Sequence, residues 1–353
     1  MSEFTYVSNT KKRISFPLLN LLLFGLSFIT CMIAGTQWAY KDFTEVLNWH
    51  YGITYAILIL SFLSAHEFGH YFAAKYHKVD ATLPYYIPFP FTFTLNFGTF
   101  GAVIKTRTPI PNKTALFDIG VAGPLAGFFV AVSFLAYGLI NLPGIDYIYL
   151  LHPEYITQFG GHIPTFGLHF GDTLVYSAMV SLFANPNGFL PPMNEIYHYP
   201  FLNVGWFGLF VTTLNMLPMG QLDGGHITYA MFGEKTHSKI AKFTFQFLLF
   251  VGILSLVGAF HDFLTLIPVG DDMYSFRQTF LPAVDSIYKI YPPIFRGWSG
   301  WLVWAMIAKF FVKLKHPPIL STESLDVKRK ILGWLALIIL LLSFSFTGIF
   351  ILE

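Results

Sequence analysis

The chain has 353 residues, of which 54% are hydrophobic and 11% are charged. This composition, with a mean hydropathy of +0.57, is typical of an integral membrane protein and excludes an ordinary soluble protein. The formal net charge is only +2, so the sequence predicts no nucleic-acid partner. The single cysteine, Cys31, excludes an internal disulfide and a cysteine-ligated zinc cluster.

Long apolar runs predict the membrane-spanning segments. We expect spans near residues 16–38, 51–74, 114–140, 201–222, 243–266, 298–314 and 330–352. The first run follows a basic segment as a signal peptide would, but its length of ~20 residues indicates a retained helix. The predicted fold class is therefore an all-α polytopic membrane protein with about six to seven transmembrane helices.

Three polar residues lie within the second predicted span. His66, Glu67 and His70 form an H-E-x-x-H pattern in an apolar stretch, where imidazole and carboxylate groups are costly. On a helix, residues i and i+4 share a face, so the two histidines can bind one Zn²⁺ while Glu67 faces a water molecule. The pattern predicts a hydrolytic site with Glu67 as general base. A hydrogen-bonded polar cluster without metal is the alternative.

Residues 84–104 interrupt the helical pattern. The stretch is apolar but rich in Pro, Phe, Thr and Gly, which favours short extended segments joined by turns. Non-helical backbone at membrane depth persists only when it is buried in protein or lines a water-filled cavity. We therefore expect a re-entrant, β-hairpin-like loop near the active site.

Loop charges predict the orientation of the spans. The segment 141–200 contains no Lys or Arg and is predicted to be an outer loop. Its histidines, His152, His162, His169 and His198, are expected to be solvated. Thirteen basic residues lie near the ends of the other predicted spans: Lys75, Lys78, Lys105, Arg107, Lys113, Lys235, Lys239, Lys242, Lys313, Lys315, Lys328, Arg329 and Lys330. They all fall on the opposite side, which we call the lysine-rich side, and this predicts a cytoplasmic N-terminus.

The end of the fourth predicted span carries the other half of the site. Pro218 breaks the helix shortly before Asp223, and such a break lets a side chain turn inward. Two histidines leave a hydrolytic zinc centre one protein ligand short, and Asp223 is the candidate for the third. Asn215, eight residues earlier, could bind a substrate carbonyl or an oxyanion. A loop aspartate and a packing asparagine are the alternatives, and His226 could support the site or lie at the membrane interface.

These motifs closely resemble those of the site-2 protease family of intramembrane zinc metalloproteases. The resemblance rests on H-E-F-G-H at 66–70 and N-M-L-P-M-G-Q-L-D-G-G-H at 215–226. The glycine-rich segment 97–103 is similar to the family's re-entrant loop, and the G-P-x-x-G sequence at 123–127 to a motif of its third span. Read without the family, these last glycines are a close-packing surface for a neighbouring helix.

The resemblance implies roles for individual residues. It implies one Zn²⁺ per chain bound by His66, His70 and Asp223, with Glu67 as the catalytic base. The residues that it implies in substrate binding are Asn215, which also acts in catalysis, Gly98, Gly101, Gly123 and Pro124. It further implies regulated intramembrane proteolysis, in which membrane-anchored protein substrates are cut within their transmembrane segments in the lipid bilayer. The chain looks like a branch without PDZ or CBS domains.

We therefore expect a single membrane domain over residues 1–353, with a catalytic core at about 51–231 and C-terminal helices within 243–353. The sequence shows no transit peptide, which favours a bacterial plasma membrane. The alternative functions are a quality-control metallopeptidase with a distal glutamate as third ligand, a di-iron oxygenase, and a non-catalytic membrane protein.

Overall fold

The structure is a computed structural model that describes residues 17–89, 96–319 and 323–352. The helices long and apolar enough to cross a membrane are Leu18–Trp38, Val46–Tyr76, Lys113–Ile140 and Asp223–Leu266. They confirm a mostly helical chain with four candidate membrane-spanning helices. The predicted total of six to seven spans stays a prediction, because the other apolar helices are shorter.

Helices make up most of the described chain. The α-helices are α1 (Leu18–Trp38), α2 (Ile53–Tyr76), α3 (Lys113–Ile140), α4 (Asp146–Leu151), α5 (Glu154–Thr157), α6 (Leu174–Phe183), α7 (Pro200–Met216), α8 (Asp223–Leu266), α9 (Tyr274–Tyr288), α10 (Gly300–Ile307) and α11 (Val327–Ser343). Short 3-10 helices cover Val46–Gly52, Ile196–His198 and Pro292–Phe295, and a π-helical turn at Ala308–Val312 extends α10.

Helix α3 lies at the centre of the bundle, where it packs against α2, α7 and α8. Small residues allow the close approach: a Cβ atom built on Gly69 of α2 would lie 2.6 Å from the carbonyl oxygen of Ala122. On the other side, a Cβ atom built on Gly208 of α7 would lie 2.7 Å from the Cβ atom of Ala131. Such close packing is what holds helices together in a bilayer, where hydrophobic burial between helices contributes little.

The predicted re-entrant segment contains an antiparallel hairpin. Strands β1 (Tyr85–Pro88) and β2 (Thr99–Val103) pair with Tyr86 opposite Ala102. The extended backbone agrees with the expectation drawn from composition. Residues 90–95 at its tip lie outside the described residues, and the entry of the hairpin into the membrane stays a prediction.

The fourth and fifth predicted spans have different boundaries in the structure. α7 ends at Met216, and residues 217–222 form a turn before α8 begins at Asp223. Gly220 in this turn has a φ of +51°, a conformation that favours glycine. α8 therefore begins well before residue 243, and it bends at Gly233, where φ is 76° and ψ is 172°.

The last predicted span, 330–352, is wrong in its C-terminal part. α11 ends at Ser343, and strand β4 (Ile349–Leu352) pairs antiparallel with strand β3 (Gly167–Phe170) of the outer loop. Gly348, with a φ of +53°, turns the chain into the strand. Hydropathy alone does not distinguish a short apolar strand from the end of an apolar helix.

The segment 141–200, which is predicted to be the outer loop, is folded and contains α4, α5, β3 and α6. The apolar helix Leu174–Phe183 has 10 residues and is too short to span a bilayer. The prediction of solvated histidines is wrong for His152 and His198, which expose only 4% and 1% of their surface. Their burial could not be read from a polar loop sequence, because the residues that cover them come from distant parts of the chain.

Candidate metal centre

The three polar residues of α2 lie on a buried face of the helix. His66, Glu67 and His70 expose 4%, 7% and 7% of their surface. Because the two histidines are one helical turn apart, their rings lie beside each other, with the two Nε2 atoms 3.1 Å apart. Both rings therefore present a nitrogen to the same small volume inside the bundle.

Asp223 reaches this volume from the first turn of α8. Its Oδ2 atom lies 3.3 Å from His66 Nε2, and its Oδ1 atom lies 3.4 Å from His70 Nε2. The turn before it is so tight that a side chain on Gly224 would overlap the backbone of Met216. The N-terminus of a helix also favours a carboxylate. The structure thus brings together the three residues that the sequence proposes as ligands.

The donor atoms fit a zinc ion. His70 Nδ1 lies 2.7 Å from the carbonyl oxygen of Ile119, which only accepts hydrogen bonds, so Nδ1 carries the proton and Nε2 keeps a free lone pair. Histidines that bind metals are usually anchored in this way. One atom from each of His66, His70 and Asp223 lies within 4.8 Å of the other two, and two imidazoles with one carboxylate form a known catalytic zinc set. The ring of His66 lacks an equivalent anchor, since its buried Nδ1 has no hydrogen bond to any described residue.

Glycines of α3 form the wall behind these rings. A side chain on Gly123 would overlap the imidazole of His70, and a Cβ atom built on Gly127 would lie 3.2 Å from His66 Nδ1. The predicted close-packing surface is therefore occupied by the two imidazoles as well as by a helix backbone. A substrate contact of Gly123 and of the buried Pro124 stays a prediction.

The hairpin glycines differ in their surroundings. Gly98 has a φ of +75° and lies against α1, where the hydroxyl of Thr30 donates a hydrogen bond of 2.6 Å to its carbonyl oxygen. A Cβ atom built on it would lie 2.5 Å from the Cα atom of Cys31. Gly101 has a φ of +100° and open space around the position of a Cβ atom. Gly98 thus anchors the hairpin, while Gly101 leaves its edge accessible.

Asn215 lies half-buried, one residue before the end of α7. A spacing of eight residues would place Asn215 near the face of Asp223 only on a continuous helix, and the helix breaks after Met216. Its side-chain amide makes no hydrogen bond within the described ranges. Its role in binding substrate stays a prediction.

A second pair of histidines lies beside the site. His226, one turn after Asp223, has its Nδ1 atom 2.8 Å from His316 Nε2. His316 Nδ1 lies 2.6 Å from the carbonyl oxygen of Pro317 and must donate there, so His226 is the donor in the shared hydrogen bond. The ring of Tyr229 stacks on His316 at 4.3 Å. The structure favours the supporting role of His226, and sequence reasoning missed His316, whose only signal was an H-P-P sequence before the last span.

Several relatives of this chain are plant proteins named as probable zinc metalloproteases. The chain is 34% identical over 185 residues to the probable zinc metalloprotease EGY1, chloroplastic, of Oryza sativa subsp. japonica. The aligned segment covers 52% of this chain and 28% of that protein. The protein of the same name from Arabidopsis thaliana is 33% identical over 176 residues, or 50% of this chain and 29% of the relative. The probable zinc metalloprotease EGY2, chloroplastic, of Oryza sativa subsp. indica is 28% identical over 217 residues, which are 60% of this chain and 34% of the relative.

The chain thus spans about a third or less of the length of these relatives. Their chloroplastic location overturns the prediction of a bacterial plasma membrane with a cytoplasmic N-terminus. Span length, hydropathy and loop charge are physical requirements of any bilayer, so they do not identify the organelle. No solved structure matches the chain.

The family comparison covers more than half of the chain. Residues 54–259 match Peptidase family M50, the family of site-2 proteases. The matched segment includes the H-E-x-x-H pattern, the glycines of α3 and Asp223. The cofactor of M50 peptidases is zinc, in agreement with the donor atoms described above. The chain belongs to Peptidase family M50, as its motifs predicted.

Proposed function

We propose that this chain is an intramembrane zinc metalloprotease that hydrolyses peptide bonds within the transmembrane segments of membrane-anchored proteins. The observation that carries the proposal is the convergence of His66, His70 and Asp223 on one buried volume beside Glu67. Ionisable residues inside apolar helices are costly and mark functional sites. Membership of family M50 supports the same activity.

The roles of the residues follow from their chemistry. His66, His70 and Asp223 would hold the zinc ion. A zinc ion held there would supply Lewis acidity for the attacking water and the scissile carbonyl group. Glu67 accepts the proton of the attacking water and later donates it to the leaving amine.

The hairpin presents the substrate to the site. The hydroxyl groups of Tyr86 in β1 and Ser64 in α2 lie 2.6 Å apart, and the backbone amide of Ile104, directly after β2, lies close to the Glu67 carboxylate. A substrate helix must unwind before it is cut, because its peptide bonds are shielded by their own hydrogen bonds. The unwound segment pairs with the edge of the hairpin by strand addition. The substrate contacts in this proposal are Gly98, Gly101, Gly123, Pro124 and Asn215.

We infer seven membrane crossings, formed by α1, α2, α3, α7, the part of α8 after its bend, the segment 298–314 that contains α10 and the π-helical turn, and α11. Two backbone contacts support this topology. The Gly220 amide donates to the Leu314 carbonyl oxygen at 3.2 Å, which joins the loops after α7 and α10 on the lysine-rich side. The pairing of β3 with β4 joins the outer loop to the segment after α11 on the other side. The chloroplastic relatives support a chloroplast membrane for the chain.

The test is the release of membrane-protein tails. Membranes with the wild-type chain should release tails cut within transmembrane segments, as identified by mass spectrometry, while Glu67→Gln should release none and bind as much zinc as wild type, because Glu67 is not a ligand. Glu234→Gln, which changes an exposed residue of α8, is the matched control and should behave as wild type. Equal release by Glu67→Gln and wild type would exclude proteolysis at this site.

A further inference from the structure

A second cluster of metal-binding side chains lies in the outer loop. His152, Glu195 and His198 expose 4%, 1% and 1% of their surface. Each offers one ligand atom, and these atoms lie within 4.8 Å of one another. Glu195 and His198 lie before the first residue of α7, and Asp223 lies after its last residue. The 17 residues of α7 extend roughly 25 Å at 1.5 Å per residue. The cluster is therefore separate from the catalytic site.

Hydrogen bonds place a proton on the Nδ1 atom of each ring. His198 Nδ1 lies 2.8 Å from the carbonyl oxygen of Trp38, and His152 Nδ1 lies 2.7 Å from Glu154 Oε1. A carbonyl oxygen and a carboxylate oxygen only accept, so each Nδ1 atom carries a proton and each neutral ring has a bare lone pair on Nε2. Yet the two Nε2 atoms lie 2.9 Å apart. Two bare lone pairs at this distance repel each other, so either a second proton on one ring or a metal cation must lie between the two Nε2 atoms.

Glu195 directs a negative charge at the same point. The hydroxyl of Tyr155 donates a hydrogen bond of 2.8 Å to Oε1 of Glu195. Its Oε2 atom is buried, has no hydrogen-bond donor among the described residues and lies 3.4 Å from His198 Nε2. A buried carboxylate oxygen without a partner is costly. One cation would satisfy this oxygen and both imidazole lone pairs.

We propose that His152 Nε2, His198 Nε2 and Glu195 Oε2 bind a second zinc ion. Each ring donates its other N–H group to an oxygen, as metal-binding histidines do. Two nitrogens bound to one tetrahedral zinc ion lie roughly 3.3 Å apart, so the observed separation needs only a small adjustment. A cavity of about 180 Å³, bordered by His198, Trp38 and Leu151, adjoins the cluster.

The ion joins three parts of the fold that are distant in sequence. His152 lies between α4 and α5, and Glu195 and His198 belong to the turn that precedes α7. His198 is also bound to the carbonyl oxygen of Trp38 at the end of α1. The second zinc ion therefore fastens the outer loop across the ends of α1 and α7, and its role is structural.

The test is the zinc content of purified full-length protein, measured by mass spectrometry after gel filtration in detergent with Zn²⁺ as the only added metal. Wild type should hold two zinc ions per chain, and His198→Gln should hold one. His162→Gln, which changes an exposed histidine of the same loop, is the matched control and should hold two.

The double variant His66→Gln/His70→Gln separates the two sites and also serves if His198→Gln does not fold. It should retain one zinc ion, and X-ray absorption at the zinc edge should show two imidazoles and a carboxylate around it. A double variant without zinc, or wild type with a single ion that His198→Gln retains, would overturn the second site. Neither outcome depends on proteolytic activity.

Discussion

Gly123 of α3 lies so close to His70 of α2 that any side chain at position 123 would overlap the imidazole. One turn further along α3, Gly127 lies against His66, where an added Cβ would be 3.2 Å from Nδ1. The four-residue spacing of the glycines matches the four-residue spacing of the histidines, and the two helices are antiparallel. The positions of both Nε2 atoms therefore depend on α3 as much as on α2.

We expect Gly123→Ala to displace His70 and to lower the rate of substrate cleavage by at least tenfold, because a shift of ~1 Å in a catalytic site can cost on the order of 100-fold. The initial rate of tail release, with the zinc content of the purified variant, measures the effect. Gly25→Ala in α1 is the matched control, since no heavy atom lies within 4 Å of the added Cβ, and its rate should stay within about twofold of wild type. A wild-type rate for Gly123→Ala would contradict the packing argument.

The catalytic motifs could be located from the sequence because their geometry is local. The spacing of His66 and His70 requires only one turn of helix, and Pro218 with Gly224 marks the break that turns Asp223 inward. Apolar run length likewise located the long helices. These inferences use interactions between residues that are close along the chain.

The features that could not be predicted depend on distant residues. His316 reaches His226 from 90 residues further along the chain, and no periodicity connects the two. The burial of His198 depends on Trp38, 160 residues away. The strand at the C-terminal end forms because β3 of the outer loop supplies its hydrogen-bond partners, and an apolar sequence does not contain that information.

Arg329 at the start of α11 forms two parallel hydrogen bonds of 2.7 Å with the carboxylate of Asp118 in α3. The same carboxylate lies 2.8 Å from His77 Nε2. We expect Arg329→Lys to lower the free energy of unfolding by about 1–2 kcal/mol, because lysine keeps the charge but cannot form the paired hydrogen bonds. Thermal unfolding in detergent should show a lower midpoint for this variant. Arg296→Lys, at an exposed arginine, should leave the midpoint unchanged.

Burial lowers the pKa of His316, which lies outside the candidate spans and faces His226, His237 and Tyr229. In the unfolded chain its pKa is about 6.5. As the pH falls below this value, the unfolded chain binds a proton that the folded chain does not, so the folded state loses stability.

We therefore expect the thermal unfolding midpoint of wild type to decrease when the pH is lowered from about 7.5 to about 5.5. The decrease should be smaller in His316→Asn. The measurement compares the two changes in midpoint under the same buffer conditions. His50→Asn, at an exposed histidine, is the control and should keep the full wild-type fall. An equal fall in His316→Asn would show that another group titrates.

Asp223→Ala tests the third ligand of the catalytic site directly. We expect the variant to lose one zinc ion per chain and to cleave substrate at least ~100-fold more slowly, since two histidines alone do not complete a hydrolytic zinc set. Asp262→Ala, at an aspartate of α8 whose side chain is 69% exposed, should keep both the metal and the rate.

The loss of one zinc ion is the informative quantity, because it is expected whether the chain binds one ion or two. A second ion in the outer loop would remain in Asp223→Ala and would be lost only when His198 is also changed. Full zinc content together with full activity in Asp223→Ala would instead assign the third ligand to another carboxylate. The geometry opposes that result, since no other Asp or Glu among the described residues joins His66 and His70 in a set of ligand atoms within 4.8 Å of one another.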